Sequence, residues 1–153
     1  MEFASGPHII SSVDGTWSSL LGTKASATNV DSNNNTPNYM TGIVHISGEW
    51  LGAVVISFDQ KSANQVASSM YSIPAEEIPL EDLTDAIGEI SNFVGGNLKM
   101  ALSGMNNLSL PSVIRGDQYN AYIHSGHLIN SVLFESADGF FKVSVYSEES
   151  NIH

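Results

Sequence analysis

The chain has 153 residues, 42% hydrophobic and 14% charged, a balance that suits one globular domain with a real core and excludes a disordered polyelectrolyte. Asp and Glu number 16 against 5 Lys and Arg, and the resulting formal charge of −11 makes nucleic acid and anionic membrane surfaces poor partners. Cysteine is absent, so neither a disulfide framework nor a thiolate metal site nor a cysteine nucleophile can be built, which fits a reducing compartment.

The opening "MEFASGPHII" has no basic segment followed by a long apolar stretch, and no run approaches the ~18 apolar residues of a membrane span, so a soluble, cytoplasmic protein is expected. From His8 to Gly22, the apolar residues Ile9, Ile10, Val13, Trp17, Leu20 and Leu21 recur at helical steps and Gly22 supplies a stop. Trp17 falls where that helix needs core packing. The Asn-rich segment 26–38, closed by Pro37, has no periodic apolar face and reads as a loop. Two β-rich runs follow, "YMTGIVHISG" and "WLGAVVISFD", joined at Ser47-Gly48-Glu49 as an antiparallel hairpin. Asp59 is placed to cap a helix through Tyr71 whose apolar face is Ala63, Val66, Ala67 and Met70. "SIPAEEIP" breaks the pattern with its prolines, and a long helix begins near Pro79 with Glu81 and Asp82 in its first turn, where the helix dipole favours negative charge. After Ser103 the runs "SVIRG", "NAYIHS", "LINSVLFES" and "FFKVSVYSE" predict further strands, the last two joined through Ala137-Asp138-Gly139, and residues 147–153 form a tail. The order predicts an α+β fold over residues 1–153, helices packed on a mostly antiparallel sheet.

The long helix has two unlike sides. Leu83, Ile87, Ile90, Val94, Leu98 and Ala101 make an apolar face for the sheet, whereas Asp85, Glu89, Asn92 and Gly96 follow one another along the opposite edge. Most surface helices have a polar face without special meaning. Here asparagine and the Gly95-Gly96 pair are poor helix formers, each glycine costing ~1 kcal/mol, so something besides helix stability selected them. The bland reading of the glycines is tight packing on a neighbouring element.

In the pattern Asp85-x-x-x-Glu89-x-x-Asn92, with Gly96-Asn97 one turn on and Pro111 in "LSLPSVIRG", the chain resembles the CheC/CheX/FliY family of chemotaxis phosphatases. The interval of residues 93–110 before Pro111 is shorter than the family's. The first helix, "SSVDGTWSSLLG", has no Glu-x-x-Asn, so a single site of the CheX-like kind is expected. The resemblance implies hydrolysis of the phospho-aspartate of a CheY-like response-regulator receiver in two-component signalling. Glu89 and Asn92 would carry it, with Asp85, Gly96, Asn97 and Pro111 as partner-binding or supporting residues. It also implies a strand-mediated homodimer and no cofactor of the chain's own, the Mg2+ belonging to the receiver. A non-catalytic receiver-binding or assembly module of the same family is the alternative.

The residue types suit the task. An acyl phosphate has a good leaving group, so the catalyst chiefly holds a water in line with phosphorus. Asparagine can accept from and donate to that water without placing more negative charge beside the phosphoryl group. The five histidines, His8, His45, His124, His127 and His153, are scattered with no carboxylate at ligand spacing, and neither a Gly-x-Ser-x-Gly elbow nor a Walker-type loop occurs.

Overall fold

Each helix starts and stops for a local reason. In the computed structural model, which describes residues 2–28, 37–116, 126–136 and 139–148, helix α1 spans Gly6–Thr16 and its N-cap Ser5 accepts from the His8 amide at 3.3 Å. A single π-helical turn, Trp17–Leu21, continues it to Gly22, whose φ of 67° ends the helix in the left-handed region. Helix α2, Gln60–Tyr71, is capped by Asp59, one carboxylate oxygen accepting from Ser62 N at 2.8 Å. The other oxygen accepts from Phe140 N at 2.9 Å, so the cap also ties the helix to a strand far along the chain. Helix α3 runs Leu80–Lys99, with Pro79 before it and Glu81 and Asp82 in its first turn.

The strands are β1 (Ser26–Ala27), β2 (Met40–Gly48), β3 (Gly52–Phe58), β4 (Asn106–Leu108), β5 (Ser112–Arg115), β6 (His127–Ser136) and β7 (Gly139–Ser147). They form one antiparallel sheet in the order β1-β6-β7-β3-β2. The outer side of β2 is shared by two short strands, with β5 on Met40–Ile43 and β4 on Ile46–Gly48. Alternation along the strands sends Val44, Val54, Ile56, Phe58, Phe141, Val143 and Val145 into the core shared with the three helices. Trp17 is buried there as expected, stacked on Phe141 at 4.5 Å, and Phe141 in turn stacks on Phe58 and Phe134. A smaller cluster of Ile43, Ala53 and Val55 occupies the other face of the sheet. No helix among the described residues is long and apolar enough to cross a membrane.

The α+β class and the antiparallel sheet agree with the sequence, and several boundaries move. Ser26 and Ala27, expected as loop, pair with Glu135 and Phe134, because an open edge of β6 lies beside them. The hairpin turn falls at residues 49–51 and not at 47–49, since Ser47 and Gly48 are held in β2 by pairing with Asn107 and Asn106. Strand β4, a polar triplet, had no β signal. Strand β7 ends at Ser147, where the predicted run "FFKVSVYSE" and the tail overlap, and that residue pairs with Gly52 and His127. Ala101 is exposed, as α3 stops at Lys99 before reaching it. "NAYIHS" and the Ala137-Asp138 turn lie outside the described residues.

Helix α3 lies against β2 at two glycines. A Cβ on Gly42 would strike the Ser91 hydroxyl and stand 2.9 Å from its Cβ, and a Cβ on Gly95 would stand 2.5 Å from Val44 Cγ2. The bland reading of Gly95 is therefore correct: it permits close approach of helix and strand. Ser91 is fully buried and satisfies its hydroxyl by donating to Ile87 O at 2.8 Å. Gly42→Ala and Gly95→Ala should each cost about 1–3 kcal/mol by overpacking. Urea denaturation measures this, and an unchanged midpoint for either would contradict the contact.

Candidate functional site

Burying Leu83, Ile87, Ile90, Val94 and Leu98 leaves the opposite edge of α3 facing outward. Asp85, Glu89 and Asn92 are exposed on it and Gly96 is half-buried. The order of these residues follows from the helical repeat, so the Glu89 carboxylate and Asn92 amide stand about one turn apart on a backbone that the sheet holds from behind. Asp82 and Asp85 extend the acidic edge toward the helix N-terminus. Among the described residues the one contact of the ion-pair kind is His45 Nε2 to Glu148 Oε2 at 3.9 Å, so none of them forms an ion pair with the α3 carboxylates.

Both flanks of the edge are built by other elements. On one side, Gly88 admits Pro111: a Cβ at that glycine would meet Pro111 Cγ and Val113 Cγ2, each at 3.5 Å. The structure thus brings Pro111 beside the residue preceding Glu89, despite the short interval in sequence. On the other side, Tyr71 at the end of α2 is held above the usual 10.0 by partial burial, then by the negative charges of Glu89, Asp85 and Asp82. Its phenol therefore belongs to the electrostatic surroundings of Glu89.

Asn97 turns away from the edge. Its Nδ2 donates to Thr16 Oγ1 at 3.1 Å and more weakly to Ser12 O at 3.4 Å, and Thr16 Oγ1 also donates to Ser12 O at 2.8 Å. This residue joins α3 to the end of α1 where the π turn begins, a supporting position at the border of the outward face.

Beyond Asn92 the edge changes from acidic to apolar. Asn92, Phe93, Gly96, Asn97, Met100 and Leu108 line an open groove of about 280 Å3. Phe93 is 43% exposed and Met100 80%. Gly96 and Gly95, adjacent in sequence, differ completely in surroundings: a Cβ on Gly96 would meet only Leu108 Cδ2, at 3.9 Å. Internal packing does not require glycine there. Sequence reasoning passed over Phe93, although it lies beside Asn92 and off the centre of the apolar face; Tyr71 had no sequence signal, because only helix packing brings α2 to this edge.

The described residues contain no group of three His, Asp or Glu side chains able to hold a metal ion. His45 lies on β2 and His127 on β6, while His124 and His153 fall outside the described residues. With one carboxylate and one amide exposed a turn apart on a rigid support, the edge can contact a cation and orient a small polar molecule such as water.

The sequence model of the chemotaxis phosphatase CheX family matches residues 40–134, an interval that contains all of α3 and Pro111. Among solved structures, CheX from Desulfovibrio desulfuricans is similar with a TM-score of 0.71 at 24% identity, covering 95% of this chain and 98% of that one. CheX from Vibrio vulnificus gives 0.70 at 19% identity, covering 95% and 97%. The CheX–CheY–BeF3–Mg2+ complex from Borrelia burgdorferi gives 0.65 at 18%, covering 91% and 94%. At these identities the likeness is one of fold. No curated protein matches the chain.

Since the charges on α3 contribute to the raised value of Tyr71, Glu89→Gln should lower its ionisation midpoint part of the way toward 10.0, with burial retaining the rest. The sign carries to stability: the fold favours the protonated phenol, so this contribution is present below 10.0 and is lost as pH rises through the folded-state value. Ultraviolet titration of wild type and variant, with Tyr71→Phe identifying the signal, checks the coupling; an unmoved midpoint contradicts it.

Proposed function

The chain belongs to the chemotaxis phosphatase CheX family, and from that premise we propose that it hydrolyses the phospho-aspartate of a CheY-like receiver domain. The observation that carries the reading is the outward-facing pair Glu89 and Asn92 on α3, exposed and without an ion-pair partner among the described residues. Their residue types match the two demands of the reaction.

The phosphoryl group of an aspartyl phosphate sits in a receiver site that supplies Mg2+ and a lysine. Glu89 pairs with that lysine through a charge-assisted hydrogen bond and so fixes the approach of α3. Asn92 then reaches the phosphoryl group. Its side-chain oxygen accepts a hydrogen bond from water and its NH2 donates, holding the water opposite the aspartyl oxygen. Water attacks phosphorus, the bond to the aspartyl oxygen breaks, and inorganic phosphate leaves with the carboxylate regenerated. A carboxylate in place of Asn92 would repel both the phosphoryl oxygens and the developing charge.

The complex from Borrelia burgdorferi supports the choice of partner, as it unites a CheX with CheY carrying beryllofluoride and Mg2+. Pro111 against Gly88 and Asn97 against α1 act as supports that keep α3 in place; Asp85 meets the partner surface outside the reacting atoms. A cytoplasmic location and a homodimer joined through strands belong to the same proposal.

The test is phosphate release from a Mg2+-loaded receiver phosphorylated with acetyl phosphate. Asn92→Ala should slow the catalysed rate about 100-fold or more by loss of water positioning, and Glu89→Ala should weaken receiver binding as well as rate. Hydrolysis by Asn92→Ala at the wild-type rate would sink the mechanism, and binding by wild type without accelerated release would identify the non-catalytic module.

A further inference from the structure

Resting on the receiver-phosphatase reading, we propose that the groove downstream of Asn92 takes an apolar side chain that the receiver projects beside its phospho-aspartate. Gly96 lies among its lining residues, with Asn92 and Asn97 as the polar ones and Phe93, Met100 and Leu108 as the apolar ones. The groove would give the chain a means of recognising its receiver that is separate from the chemistry.

The strongest evidence is Gly96 itself. A glycine inside a helix is unfavourable relative to alanine, and at this position a methyl group would touch nothing nearer than Leu108 Cδ2 at 3.9 Å. Neighbouring Gly95 is explained by Val44; among the described residues Gly96 has no such explanation. Its effect is to leave space for an occupant.

The lining determines what that occupant is. In a chain of formal charge −11, the groove has no charged side chain, whereas the same helix edge upstream carries Asp82, Asp85 and Glu89. A lysine of the receiver is matched by the upstream carboxylates. A cation placed in the groove would lose hydration against Phe93, Met100 and Leu108 without gaining an opposite charge, but an apolar side chain would displace water from all of them. The groove is also continuous with the chemistry, as Asn92 is one of its lining residues. An occupant there must therefore approach from the same body that carries the phosphoryl group.

Binding to a CheY-like receiver of the same organism, loaded with beryllofluoride and Mg2+, tests the proposal alongside phosphate release from the phosphorylated receiver. Gly96→Ala should raise Tm by about 2–4 °C, yet weaken Kd about tenfold as its methyl group fills part of the groove. Phe93→Ala and Met100→Ala should each weaken Kd about threefold to tenfold. Leu51→Ala, an exposed apolar residue in the turn between β2 and β3, should leave Kd unchanged.

An unchanged Kd for Gly96→Ala and Phe93→Ala overturns the groove while leaving the phosphatase reading intact. Variants that abolish self-association without altering receiver binding assign the groove to a second copy of the chain and also overturn it. Wild type that binds the loaded receiver through these residues but releases phosphate no faster supports the groove and refutes the hydrolase reading. Failure of wild type to bind any loaded receiver overturns both.

Discussion

Close contact between α3 and β2 is the constraint on which the rest depends. Two missing Cβ atoms create it, Gly42 opposite Ser91 and Gly95 opposite Val44. A helix seated that closely on a pleated surface cannot roll without driving side chains into the strand. Its outward edge is therefore fixed by its inward one, and Glu89 and Asn92 acquire a direction in space from residues that never touch them. The loss of helix propensity at Gly95 is offset by the apolar contacts it permits, among them Val44 and Leu108.

The supporting contacts act on the same helix from other sides. Pro111 fits against Gly88, and Asn97 reaches across to Ser12 and Thr16. Together they resist sliding along the strand and tilting away from α1. On the proposed mechanism, holding one water needs such restraint more than additional reactive groups, because small displacements of a positioning residue carry large rate penalties. The carboxylates and the uncharged amide divide the remaining work: attraction toward a cation on one part of the edge, freedom from anionic repulsion on the next.

The sequence made the large elements legible because their signals are local. The β-rich runs of β2 and β3, the Asp59 cap, and the periodic apolar face of α3 each declare themselves within a dozen residues or so. Strand β4 does not, since "NNL" has little β propensity and is extended only because β2 offers it an edge. The π turn at Trp17–Leu21, where Trp17 stacks on Phe141, likewise has no local sequence signal. At the candidate site, Asn92 stands out as a poor helix former on a polar edge, and Glu89 through the pattern that pairs it with Asn92. Asn97 shows the limit: one position from Gly96 in sequence, it faces a different helix, so adjacency was a poor guide to direction. Gly95 and Gly96 are the same letter twice, and only their neighbours in space tell a packing glycine from an open one.

The order of the strands has a further consequence for how the molecule comes into being. Strand β3 is flanked by β2, its neighbour in sequence, and by β7, which begins at Gly139. The Asp59 cap of α2 likewise waits for Phe140. Such distant pairings make folding slow and leave one side of β3 bare until the late hairpin arrives. During synthesis α3 and its reagents leave the ribosome well before the sheet beneath them is complete. Competence to meet a partner thus arises late and as a whole, and a chain cut short after α3 would carry Glu89 and Asn92 without Pro111 and the strands that aim them.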